Sequence, residues 1–348
     1  MKRLFFVAVC LGALVSGISC KKGLPKQLDT IDRSATFLTT SFSPILGRNY
    51  ISRGPFNYGQ STLPMEFEIV NMRRFNGEPA PELTNDIYPV TVWKTTGAGS
   101  YTGNETSLAE IEAKRTIENH RIFEMRKGSG DVVVWGDVNT SKLLTRPDSG
   151  YVFDVKVSNS GATRYYYNLR FMPYKQIPYD PNNYNQQTGM ASSPALNAGT
   201  SGITLANFIR NKDGRTMTTG EVDVYFNKLV GGQGNTLTFK FLDSAYTPIN
   251  PKLFNQTQWD RLVHGFNMKL TDTEVKYTVA YPIPLAPITT PYTNGNGSRA
   301  AVKFEYYRLG PGGFGVTAGL GFSFAIYQKG DWEIAFHFKN TSPKFAND

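Results

Sequence analysis

Cysteine is almost missing from these 348 residues: only Cys10 and Cys20 occur, both near the start. The rest of the chain can therefore hold no disulfide and no thiolate-bound metal, and its stability has to come from apolar burial and sheet hydrogen bonds. Histidine is scarce as well. His120, His264 and His337 stand singly, with no HExxH and no second histidine at helical spacing, which argues against a zinc enzyme. No GxSxG, SxxK or P-loop occurs. The stretch Gly310-Pro311-Gly312-Gly313-Phe314-Gly315 is glycine-rich, but it lacks the lysine and helix of a phosphate cradle and reads as a tight turn between strands. Strong charge of one sign is also lacking. Without Lys2 and Arg3 the 37 basic residues become 35 against 28 acidic ones, a net +7 spread along the chain. That spread excludes the clustered Lys/Arg surface of a nucleic-acid binder.

Long apolar runs are absent with one exception, Leu4 to Leu14, which follows Lys2 and Arg3 and precedes the small-residue segment Gly17-Ile18-Ser19-Cys20. The run is too short to span a bilayer and reads as an export signal, residues 1–19. Its end matches a lipoprotein cleavage site, with Cys20 as the acylated first residue of a membrane-tethered protein; the competing reading is an ordinary secretory peptide cut near Ser19 that leaves Cys20 a free thiol. Gly17 stands where such sites commonly carry leucine. The polar stretch 20–33, with Lys21, Lys22 and Lys26, reads as a spacer whose charges can touch anionic headgroups or simply stay solvated.

From Ser34 onward the pattern is mainly β. Short alternating runs at 65–70, 90–93, 131–135, 150–157 and 165–171 are bounded by Gly, Pro, Asn or Asp. In the 150–157 run Tyr151, Phe153, Val155 and Val157 fall on a core face, and Val152, Asp154 and Lys156 on a wet one. Residues 107–118 predict a surface helix capped by Thr106 or Ser107, and 255–267 a second, with Thr257 as cap and Trp259, Leu262, Val263 and Phe266 as its apolar stripe. Further strands are expected at 215–226, 236–242, 269–281, 300–309, 319–328 and 331–339. Residues 173–201 hold four prolines and many Asn and Gln, and mark a linker or surface loop. The whole is an antiparallel β-sandwich architecture of Ig-like or jelly-roll-like type: an N-terminal domain at 34–172 with an inserted helix and a C-terminal domain at 202–348.

Chemistry is sparse. Glu66 and Glu68 share a strand face, as do Glu221 and Asp223. Along a strand such pairs lie about 6.5 to 7 Å apart, within the range glycosidases use. The same alternation describes any solvated strand face. Aromatic residues, 13% of the chain, offer a stronger lead, because sugars stack on exposed rings beside amides and carboxylates. Tyr179 and Tyr184 lie among Asp180, Asn182, Asn183 and Asn185; Tyr292 lies beside Asn294 and Asn296; Trp259 has Gln256, Gln258 and Asp260 around it. Packing is the competing reading for each. Trp93, Trp135 and Trp332, on strands with apolar neighbours, read as core.

The segments Arg33-Ser34-Ala35-Thr36-Phe37, Pro64-Met65-Glu66-Phe67-Glu68-Ile69-Val70-Asn71, Pro89-Val90-Thr91-Val92-Trp93-Lys94, Glu110-Ile111-Glu112-Ala113-Lys114-Arg115 and Pro147-Asp148-Ser149-Gly150-Tyr151-Val152-Phe153-Asp154-Val155 resemble an uncharacterised family of Bacteroidetes surface lipoproteins. Its members are similar in kind to accessory lipoproteins of polysaccharide-uptake systems, which sit beside an outer-membrane transporter and its SusD-like partner. The resemblance implies a lipid-anchored, non-catalytic, glycan-binding accessory protein without a cofactor, on the periplasmic face or the cell surface. It carries over no binding residue. Two other readings remain open: a structural or adhesive protein that binds another protein, and a glycoside-cleaving enzyme.

Overall fold

A computed structural model describes residues 28–348 apart from 96–98, 137, 139 and 233. Cys20, the 1–19 stretch read as an export signal and most of the 20–33 stretch read as a spacer lie outside the described residues.

The chain is mainly β and builds two hydrophobic cores, one from residues 31–171 and one from 179–338. In the first, a four-stranded sheet runs in the order Ser41–Phe42, Thr163–Phe171, Tyr151–Ser158, Glu66–Arg74. A three-stranded sheet of Tyr50–Ser52, Val132–Val134 and Phe123–Met125 closes over it. Phe123 packs against Phe171 and Phe153 with ring centroids 4.4 and 5.1 Å apart. The expected inward set Tyr151, Phe153, Val155 and Val157 is fully buried.

In the second, a six-stranded sheet runs Ala195–Leu196, Val222–Leu229, Gly330–Phe338, Asn235–Leu242, Val275–Val279, Gly265–Leu270. Its facing layer is the long hairpin of Ala300–Leu309 and Gly315–Ile326, turned by Pro311–Gly313 as the glycine-rich stretch predicts. Phe304 meets Phe239, Phe241 and Phe336 across the gap at 4.9 to 5.4 Å. Each such buried ring is worth about 1.5 to 3 kcal/mol over its exposed state. The Gly330–Phe338 strand lies inside its sheet, with Trp332, Ile334, Phe336 and Phe338 on the core side. Segment 173–201 is docked rather than slack, because Tyr179 and Leu196 belong to the second core.

Several local expectations are corrected. The 107–118 helix is shorter: Ser107 Oγ accepts the Glu110 N–H at 3.1 Å and caps Leu108–Ala113, but Arg115–His120 is a strand paired with Tyr88–Trp93. Thr116 and Ile117 are β-branched, and a paired ladder is worth more to them than another helical turn. The 255–267 helix is absent. Only the single turns Pro251–Leu253 and Trp259–Arg261 form, and Phe266 sits in the strand Gly265–Leu270. Thr257 caps nothing helical; its hydroxyl accepts the Glu305 N–H at 2.7 Å and serves the edge of the neighbouring strand. The 269–281 strand is a hairpin that turns at Thr271–Glu274, where Thr271 N–H donates to the Glu274 carbonyl at 2.9 Å. The 215–226 strand begins only at Val222, after a Thr219–Glu221 turn capped by Thr218.

Candidate functional site

Outward residues of the four-stranded sheet make the most distinctive surface. Tyr165 lies opposite Lys156, and Lys156 opposite Glu68, so the three share the face away from the core. Tyr165 and Tyr167 are 46% and 67% exposed, their rings 16° from parallel and their centroids 6.2 Å apart. Alternation alone explains Tyr165. It explains Tyr167, two residues on, as well, and a bulge follows directly after it.

Between Phe153 and Val155 the central strand spends two residues where Thr163–Phe171 spends three, and between Val152 and Asp154 the same happens against Glu66–Arg74. Each flanking strand absorbs its extra residue with an asparagine at positive φ, Asn168 at 61° and Asn71 at 54°. Asp154 lies between them and is buried, which corrects the expectation of a wet residue. Its carboxylate accepts the Asn168 N–H at 2.8 Å, the Asn71 side-chain amide at 2.8 Å and Arg73 Nη1 at 3.2 Å. Arg73 Nη2 also donates to Asn168 Oδ1 at 2.8 Å. Burial alone would raise the Asp154 carboxyl, but these donors outweigh it and hold it below the ordinary carboxylate value. The double bulge is thus locked from its centre, and the two tyrosine rings stand on a rigid base.

Polar groups flank the rings. Lys156 Nζ pairs with Glu68 Oε2 at 3.2 Å, and Lys127 Nζ with Glu66 Oε1 at 3.0 Å. Glu66 and Glu68 therefore sit on an open sheet face, each tied to a lysine. Glu221 and Asp223 do not share a strand: Glu221 ends the turn Thr219–Glu221, buried against Arg210 at 3.0 Å, while Asp223 pairs with Lys339 at 3.1 Å. Burial pushes the Glu221 carboxyl up, and its hydrogen bonds and Arg210 bring it below normal. Among the described residues no three His, Cys, Asp or Glu side chains gather to hold a metal.

The aromatic residues singled out from sequence are placed elsewhere, and of the four only Tyr179 and Tyr184 stand in ring contact with each other. Tyr179 is 5% exposed, its ring parallel to Phe226 at 4.2 Å, and burial raises its hydroxyl. Trp259 is 9% exposed against Phe304, and its carbonyl accepts the Tyr277 hydroxyl at 2.5 Å. Neither offers an open face to a sugar, because the second core recruits both. Tyr184 is half-buried and leans edge-on against Tyr179. Tyr292 lies parallel to His264 at 4.8 Å, at one end of a column through Tyr101 and Trp93 to Arg115. That column joins the N-terminal half to the C-terminal half. His264 Nε2 donates to the Glu105 carbonyl at 2.8 Å, so its Nδ1 is left to accept the Tyr101 hydroxyl at 2.5 Å.

Tyr165 and Tyr167 were legible only as strand residues. The signal that could have raised them is two tyrosines at i and i+2 beside Asn168, the spacing of one sheet face. The bulge that follows the pair is held by Asp154, 13 residues away in sequence from Tyr167.

Residues 56–347 match the family described as Domain of unknown function (DUF5007). No curated protein matches the chain.

Proposed function

We propose that this chain, which belongs to the DUF5007 family, is a non-catalytic carbohydrate-binding protein that meets its ligand on the Tyr165/Tyr167 face. The observation that carries the reading is the pair of exposed, near-parallel rings on a locked sheet, with charged hydrogen-bonding groups one strand away. Apolar faces of pyranose rings stack on such rings, and the flanking Lys156 and Glu68 can meet their hydroxyls. Lipid attachment at Cys20 would hold this body at the outer membrane, beside a polysaccharide transporter, as an accessory component. The leader motif and the resemblance drawn from sequence support that setting.

The test is a glycan array and affinity-gel screen of residues 21–348, with Tyr165→Ala and Tyr167→Ala. Each exposed ring removed should weaken binding about tenfold or more, with unfolding midpoints unchanged. Binding that ignores both substitutions, or none across a broad panel, sinks the reading. A protein partner is the second reading. It is favoured by the two-stranded ribbon Tyr88–Trp93/Arg115–His120, where Ile117 is 69% exposed. Stable co-purification that Ile117→Lys disrupts, with indifference to sugars, would select it.

A further inference from the structure

The outer side of the six-stranded sheet carries a second, independent feature. A cleft of about 560 Å³ opens there, lined by Asn267, Lys269, Lys276, Thr278, Thr236 and Asp331 among others. Lys269 and Lys276 are direct cross-strand partners on Gly265–Leu270 and Val275–Val279. Like charges directly opposite one another oppose pairing, and sequences normally avoid them. Here a bulge creates the clash: Phe266 faces Thr278 and Lys269 faces Lys276, three residues against two, with Asn267 at φ 53° taking up the extra one. Bulges of this kind re-aim side chains and collect beside functional sites.

No carboxylate pairs directly with either lysine. Among the described residues neither lysine has an ion-pair partner, and the acids nearby are committed elsewhere. Glu274 and Glu333 are held by Lys240 at 3.3 and 2.7 Å, and Asp272 by Lys252 at 2.8 Å. Asp331, inside the cleft, accepts the N–H groups of Gly234, Asn235 and Thr236 and the Thr236 hydroxyl at 2.6 to 3.2 Å. Those donors engage both its oxygens but leave its negative charge, so the cleft holds two cations against one anion, with the Thr278 hydroxyl and the Asn267 amide beside the lysines. A concave wall with an excess of one charge concentrates ions of the opposite sign.

We propose that this cleft binds an oxyanion, a sulfate or carboxylate group, held between Lys269 and Lys276. Ammonium groups serve as point-charge partners for such anions. The arrangement costs the empty protein stability and returns it on binding, which is the pattern of a site kept for function rather than for folding. It does not depend on the Tyr165/Tyr167 face, which lies on the other core.

The test compares wild type with Lys269→Gln and Lys276→Gln, and with Lys212→Gln, an exposed turn lysine, as the charge control. Thermal unfolding is followed in sodium sulfate and in sodium chloride at matched ionic strength. Sulfate stabilises all proteins by exclusion, so the readout is the difference between variants. Near saturation the wild type and Lys212→Gln should gain about 5 °C more from sulfate than the two cleft variants do. In chloride the cleft variants should melt at or above wild type, because the repulsion is gone. Dextran sulfate and uncharged dextran then identify the source. Dextran sulfate retained by wild type and lost by the cleft variants assigns an acidic polysaccharide; a response to inorganic sulfate alone assigns a free anion. Equal sulfate shifts in all four proteins overturn the proposal, as does a cleft variant that melts lower in chloride. Failure of the tyrosine variants in the glycan screen would leave this result untouched.

Discussion

Asp154 shows how much one side chain can decide. It gathers two bulges, two positive-φ asparagines and one guanidinium. Asp154→Ala should therefore cost about 3 to 4 kcal/mol in denaturant unfolding, since it strands several buried donors at once. The backbone share can be separated at the neighbouring position. Asn168→Ala and Asn168→Gly both lose the Arg73 hydrogen bond, but only alanine also pays for the left-handed conformation, so it should be less stable than glycine by about 1 kcal/mol. Equal costs would show that the bulge relaxes. None of this was readable from the 150–157 run, where alternation placed Asp154 on the wet face; its partners come from strands 83 and 14 residues away.

Among elements, the turn before the Leu108–Ala113 helix is the most tightly wired. Glu105 is buried, and its carboxylate takes Lys114 Nζ at 2.6 Å and the N–H groups of Thr102 and Gly103 at 2.9 Å. Burial pushes its carboxyl up, yet the ion pair and hydrogen bonds prevail and bring it from 4.5 down to about 2. A depressed carboxyl stabilises the fold above its unfolded value and loses that contribution as pH falls through the folded one. Full linkage would be about 3 kcal/mol, and solvent near this loop screens it to about 2. Glu105→Gln should accordingly be less stable than wild type by about 2 kcal/mol at pH 7, with the gap closing between pH 5 and pH 2 in urea titrations. A gap that persists at pH 2 would assign the cost to packing. Capping chemistry made this element's start visible in sequence through Ser107. Its end was not, because pairing of Arg115–His120 with Tyr88–Trp93 is a non-local gain that helical spacing cannot report.

For the whole molecule, the joint between the halves carries the coupling. Ile111 and Tyr101 from one half pack with Ala280 and Leu285 from the other, and Trp93, Phe266 and Ala286 lie around them. Ile111→Ala should cost about 2 to 4 kcal/mol. Hydrogen exchange should rise on both sides, at residues 101–111 and at 280–286; a rise confined to the first segment would show that the halves open independently. What the sequence alone determined was the class of structure and the strands that fill the cores. Alternation with period two, glycine- and proline-rich turns and the lack of cysteine all act locally or through composition, so they are legible in one dimension. Only the tertiary structure decided which aromatic rings face solvent. Tyr179 and Trp259 sit in polar sequence yet were drawn into the second core, while Tyr165 and Tyr167, on a strand that reads as ordinary, were left outside. The physical reason is that burial depends on what the opposing sheet covers, and the Lys269/Lys276 clash depends on a one-residue bulge in a hairpin read from sequence as a single strand.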